Sequence, residues 1–109
     1  MLSINNIRRA VMANPAYFII DVKISDPEGI KPYQERVEET FRAFGGERIV
    51  AGGKPEVLEG QGPAGRIVIV RFPSLEQAHA WHESPAYQAI IGYRHAAAQS
   101  HAYLVEGAA

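Results

Sequence analysis

Two short stretches constrain this chain more than any others: Phe18-Ile19-Ile20 and Ile67-Val68-Ile69-Val70 are unbroken apolar runs within segments rich in β-branched and aromatic residues. A strand with one face in water alternates apolar with polar residues, because successive side chains point to opposite faces. An unbroken run describes a strand buried on both sides. The segments that carry these runs, Tyr17 to Ile24 and Arg66 to Phe72, are therefore expected inside the fold, with material on each face.

The intervening sequence supplies one of those layers. Ile30, Tyr33, Val37, Phe41 and Phe44 recur at steps of three and four, while Glu35, Arg36, Glu38, Glu39 and Arg42 fill the gaps; this is the stripe of an amphipathic helix. Asp26 and Pro27 suit a cap and first turn. Pro32 has no backbone donor and crowds the preceding turn, which places the regular helix from about Lys31, after a separate turn. Gly45-Gly46 ends it. Glu47 to Ala51 reads as a strand, and a Gly- and Pro-rich connection with Lys54 to Gly60 as a short arm leads to Arg66. Ser74 with Gln77 forms a capping box that opens a second helix, Ser84-Pro85 restarts it after a bend, and His101 to Glu106 is the last strand.

The order βαββαβ predicts an α+β, ferredoxin-like domain: a four-stranded antiparallel sheet with two helices on one face. The second face is apolar by the same runs and has no further layer in the sequence. A homodimer with its two sheets face to face is the simplest cover.

At 109 residues and 47% hydrophobic content the chain suits one core. The domain is expected over residues 15–107, with 1–14 as a loose leader in which Met12 is a candidate start, and 108–109 as a tail. A net charge of −1 gives no basic footprint for nucleic acid. The absence of cysteine removes disulfides and thiolate chemistry and fits a reducing, cytoplasmic setting. No apolar stretch approaches the roughly 20 residues of a membrane span, so no membrane partner is expected.

Candidate chemistry clusters on the second helix. Trp81 is either an aromatic anchor on the sheet or a stacking wall for a flat substrate. Tyr87, Ile91, Arg94 and Ala98 step by four, three and four, so Arg94 shares a stripe with core residues and needs a partner. That partner is either a bracing carboxylate or a substrate carboxylate or enolate, which the planar guanidinium suits. His82 titrates near neutrality and is a candidate general base, the alternative being an exposed helical histidine. Asp21 interrupts the first strand; it either pairs with Arg48 or Arg71, or serves as a pocket carboxylate that holds His82 or Arg94. Tyr17 and Tyr33 can lend hydroxyls to the same cavity. His79 and His82 are three apart, but zinc sites want three or four converging ligands, and neither cysteine nor a His-Glu-x-x-His pattern is present. No metal and no cofactor are expected.

The stretches "AYFI…DPEGIKPY", "GGERIVAGG…VLEG", "RIVIVRFPSLEQAHAWHESPAYQ" and "YRHAA…YLVEG" together resemble the domain-of-unknown-function 1330 family, short proteins of the dimeric α+β barrel superfamily. The resemblance covers Ala16 to Gly107. It departs from the family at His82, where tyrosine is common, so no hydroxyl role is carried to that position. It implies the same fold and dimer as the patterns and brings no agreed activity; cofactor-free monooxygenases, muconolactone-type isomerases and haem-binding enzymes occur elsewhere in the superfamily, and fold does not fix function. Two functions stay open. One is a site for a small anionic or aromatic molecule between helices and sheet, lined by Arg94, Trp81, Tyr17, Tyr33 and Tyr87, with cofactor-free acid/base chemistry by His82 and Asp21. The other is a structural or interaction module whose polar residues only brace the dimer.

Overall fold

The computed structural model describes residues 14–108. Apart from Asn14, the leader expected over residues 1–14, with Met12, lies outside the described residues, as does Ala109. The order is β1 (Ala16–Ile24), α1 (Lys31–Arg42), β2 (Glu47–Gly53), β3 (Arg66–Phe72), α2 (Leu75–Glu83), α3 (Pro85–Ala97) and β4 (Ala98–Glu106). The strands form one sheet in the order β2-β3-β1-β4, and every neighbouring pair is antiparallel. This is the α+β, ferredoxin-like arrangement.

Local chemistry explains the boundaries. The Asp26 carboxylate accepts from the Gly29 N–H at 3.1 Å and closes a separate turn, so α1 starts at Lys31 with Pro32 in its first turn. Gly45 follows α1 with φ of 78°, a conformation that glycine adopts without steric cost. Ser84 separates the last two helices and serves both. Its Oγ donates to the Trp81 carbonyl at 2.7 Å and accepts from the Tyr87 N–H at 3.3 Å. The proline that follows has no N–H to leave unpaired and sits in the first turn of α3.

The two faces of the sheet differ. Phe18, Ile20, Val70 and Phe72 are almost fully buried, and they pack with Tyr33, Val37 and Phe41 of α1 and with Trp81, Tyr87 and Ile90 of α2 and α3. On the opposite face, Tyr103 of β4, Ile19 of β1, Ile69 of β3 and Val50 of β2 stand side by side in register. They form an apolar row across all four strands, and Tyr103 is 57% exposed.

Candidate functional site

A cavity of about 520 Å³ lies between α1 and the helix-facing side of the sheet. Ile20, Val22, Val68 and Val70 give it an apolar floor, and Tyr33 and Val37 line it from α1. Trp81 and Arg94, which are 0% and 4% exposed, form its buried end, while the exposed Arg48 and Arg66 stand at its rim. Among the described residues, no aspartate or glutamate lines it.

Arg94 sits in the last turn of α3, seven residues and hence about two turns from Tyr87, on the same helix face. Its Nη1 donates to Ser100 Oγ on β4. Its Nη2 donates to the Tyr87 hydroxyl at 3.3 Å, and its Cζ lies 5.4 Å from the Tyr33 ring centroid. Nε is buried with no acceptor. Among the described residues Arg94 forms no ion pair with a carboxylate. Buried guanidinium groups are normally paired, because desolvating the charge is costly, so this arginine stands out.

The two tyrosines extend the cluster. The Tyr33 and Tyr87 hydroxyls lie 3.0 Å apart. Burial, then the hydroxyl of Tyr87, pushes the Tyr33 phenol well above its ordinary range despite Arg94, so Tyr33 keeps its proton throughout the physiological range. Trp81 donates from Nε1 to Thr40 Oγ1 at 3.0 Å, and Thr40 donates in turn to the Val37 carbonyl. The indole packs on Phe18, Phe72 and Tyr87 with ring centroids 4.9, 5.2 and 4.1 Å away. It is thus a core anchor that also presents part of its surface to the cavity.

Two residues singled out as an acid/base pair do not meet. Asp21 alternates with Ile20 and Val22 along β1 and so points to the opposite face of the sheet. There its carboxylate accepts from the Ala64 N–H at 3.0 Å and the Gly65 N–H at 2.7 Å, with His101 Nδ1 3.9 Å away. It pairs with neither Arg48 nor Arg71, and it holds neither His82 nor Arg94; the backbone of the β2–β3 connection satisfies it. Gly65 permits that approach, since a Cβ there would lie 2.1 Å from the Val22 carbonyl oxygen. Tyr17 shares the face of Asp21 and likewise does not reach the cavity. His82 lies half-buried beside α3, its ring centroid 5.5 Å from that of Tyr87, and is not among the lining residues. Burial first, then the Arg94 charge, lowers its pKa from the ordinary 6.5.

Sequence reasoning passed over Thr40 and Ser100. Thr40 continues the stripe of Tyr33 and Val37 at the next three-residue step, a signal available in the spacing. Ser100 precedes the segment read as the last strand, which in fact begins at Ala98. Among the described residues no three His, Cys, Asp or Glu side chains converge as a metal site, and no helix is long and apolar enough to cross a membrane.

Residues 15–108 match the family described as Domain of unknown function (DUF1330). No curated protein matches the chain significantly. Among solved structures, a protein of unknown function from Rhodopseudomonas palustris superposes with a TM-score of 0.68 at 16% identity, covering 100% of this chain and 96% of its own. The cofactor-independent oxygenase SnoaB from Streptomyces nogalater superposes with a TM-score of 0.58 at 12% identity, covering 89% of this chain and 96% of its own. A conserved protein of unknown function from Bacteroides thetaiotaomicron gives 0.54 at 9% identity, over 85% and 97% of the respective chains. At such identities the likeness speaks for the fold alone.

Proposed function

The chain belongs to the DUF1330 family, and from that premise we propose that it is a homodimer in which each subunit binds a small organic anion between helices and sheet. One observation carries the binding: Arg94 is buried at the end of an apolar cavity and, among the described residues, has no carboxylate paired with its charge. An anionic ligand group supplies the missing countercharge, and the surrounding apolar lining suits an aromatic or otherwise flat body. Tyr33 and Trp81 complete the buried end of the site; Tyr87, expected to line it, is fully buried behind them and reaches it only through Tyr33 and Arg94. His82 and Asp21 lie on different sides of the sheet, so the reading is one of recognition, with no acid/base step assigned to that pair.

The row Tyr103, Ile19, Ile69 and Val50 supports the dimer. It is an apolar band across four strands with Tyr103 57% exposed, the kind of surface that marks an interaction site. One neighbouring row carries Arg71 and Glu47 beside Tyr17 and Val105, the other Asp21 and His101 beside Ile67 and Gly53, so charged groups and further apolar residues together flank the apolar centre, as in a protein interface. A second copy of the same face is the proposed occupant. A purely structural module would fill its helix–sheet interface, and the 520 Å³ void weighs against that alternative.

Sedimentation equilibrium should return twice the chain mass at micromolar concentration. A thermal-shift series of aromatic acids and phenols should raise the melting temperature, with neutral analogues having no effect. A monomer would overturn the assembly, and a flat response to every anion at millimolar concentration would overturn the binding.

A further inference from the structure

Among the described residues, the charged side chains that line the cavity are Arg48, Arg66 and Arg94, although the whole chain carries 12 acidic residues against 11 lysines and arginines. The excess of one sign is therefore local. Residues paired across neighbouring strands send their side chains to the same face of a sheet. Arg48 is paired with Val70 and Arg66 with Val22, and both valines line the cavity, so both arginines rise from its side of the sheet. Their guanidinium groups are held at its edge. Arg48 Cζ lies 5.5 Å from the Phe41 ring centroid, and Arg66 Nη1 donates to the Gly52 carbonyl at 3.3 Å; Phe41 and Gly52 are lining residues as well. Among the described residues neither arginine pairs with a carboxylate.

We propose that Arg48 and Arg66 form a second anion subsite at the mouth, and that the ligand is an elongated dianion with an acidic group at each end of a flat apolar body. This rests on the reading that Arg94 holds an organic anion at the buried end. The strand register gives the spacing. Ser100, which accepts from Arg94, is paired with Val22, and Val22 with Arg66, so the two anchor points stand in one row, two strands apart. At about 4.8 Å between neighbouring strands the row spans roughly 10 Å. A short dianion held at Arg94 leaves its second charge over the apolar floor of Val22 and Val68, where desolvation is unfavourable. A longer one carries that charge to the mouth. Arg48 and Arg66 are exposed, so water and salt screen them and each pair adds little. Arg94 decides that an anion binds, and the mouth decides between anions.

The test adds a second acidic group to a long body and to a short one, comparing 4-phenylbenzoate with biphenyl-4,4′-dicarboxylate and benzoate with terephthalate. Binding is measured by calorimetry at about pH 7.5, where every carboxylate is ionised. At low ionic strength the second group should tighten binding of the biphenyl body about five- to tenfold, as two exposed ion pairs do, and that of the one-ring body less than about twofold. In the wild-type protein the gain should vanish in about 1 M salt, where charges are screened beyond about 3 Å. Replacing both mouth residues, Arg48→Gln with Arg66→Gln, should bring the dicarboxylate to the affinity of the monocarboxylate. Equal affinities within the biphenyl pair, a gain that survives the double substitution, or an equal gain on the one-ring body would overturn the mouth subsite while leaving the anion at Arg94. Failure of all four compounds to bind would remove the anion site itself.

Discussion

Replacing Arg94 by methionine separates a site from a brace, because the two roles change stability in different directions. In the ligand-free protein the guanidinium is 4% exposed and has two hydroxyl partners, Ser100 and Tyr87, in place of a carboxylate. Losing hydrogen bonds to a charged group costs about 1.5–3 kcal/mol each. The cost falls toward the low end here, since Ser100 is half-buried and within reach of water and Tyr87 keeps Tyr33. Against this stands the desolvation of an uncompensated charge, several kcal/mol per ion, which methionine removes while filling a similar volume. The balance lies within about 2 kcal/mol of zero, with a gain in stability as the expected sign. At about 4–8 °C per kcal/mol for a domain of this size, the melting temperature of Arg94→Met should stay level or rise. A saturating aromatic anion, worth about 2.7 kcal/mol at a hundredfold excess over Kd, should stabilise the wild type and have no effect on the variant. A brace behaves otherwise: breaking a buried pair costs about 3–5 kcal/mol, a fall of some 12 °C or more. Differential scanning calorimetry with and without anion reads both quantities, and a fall of that size with the anion response retained would refute the reasoning.

Three further outcomes follow from the same contacts. Asp21→Ala should destabilise the protein by about 2–4 kcal/mol, since it leaves the Ala64 and Gly65 amides without their acceptor, and anion affinity should not change; urea unfolding and calorimetry check the two halves. Trp81→Ala should cost about 3–5 kcal/mol and free the Thr40 hydroxyl, a loss to be read from the denaturation midpoint. The His82 pKa should lie below 6.5 in an NMR titration. Because the unfolded chain then binds the proton more readily than the folded one, stability should fall as pH drops from 6.5 toward the folded value, and His82→Gln should flatten that slope.

The fold was legible because its signals are local and periodic. The stripe from Ile30 to Phe44, the Ser74 and Ser84 caps and the two apolar runs each follow from one element's geometry. The site was legible only in part. Arg94 was conspicuous as a charge on an apolar stripe of α3, and Trp81 as its aromatic neighbour. Asp21 misled because a carboxylate inside an apolar run signals burial without saying on which face or beside what. Its partners are backbone amides at Ala64 and Gly65, in a connection without periodicity, and no side-chain pattern encodes them. Tyr17 was assigned to the cavity on its residue type, although period-two alternation from Phe18 puts it on the far face. The hydrogen bond between the Tyr33 and Tyr87 hydroxyls joins residues 54 positions apart; such a contact appears only once α1 and α3 are packed together.

The central claim is that the cavity holds an organic anion against the charge of Arg94, and a proton–nitrogen correlation spectrum of the arginine side chains observes that residue directly. In the ligand-free protein the Arg94 side-chain resonance is assigned through its loss in Arg94→Met. Addition of an aromatic anion should shift that resonance, saturating at the same concentration as binding of the anion read by calorimetry. A resonance that stays fixed while the anion binds would contradict the account.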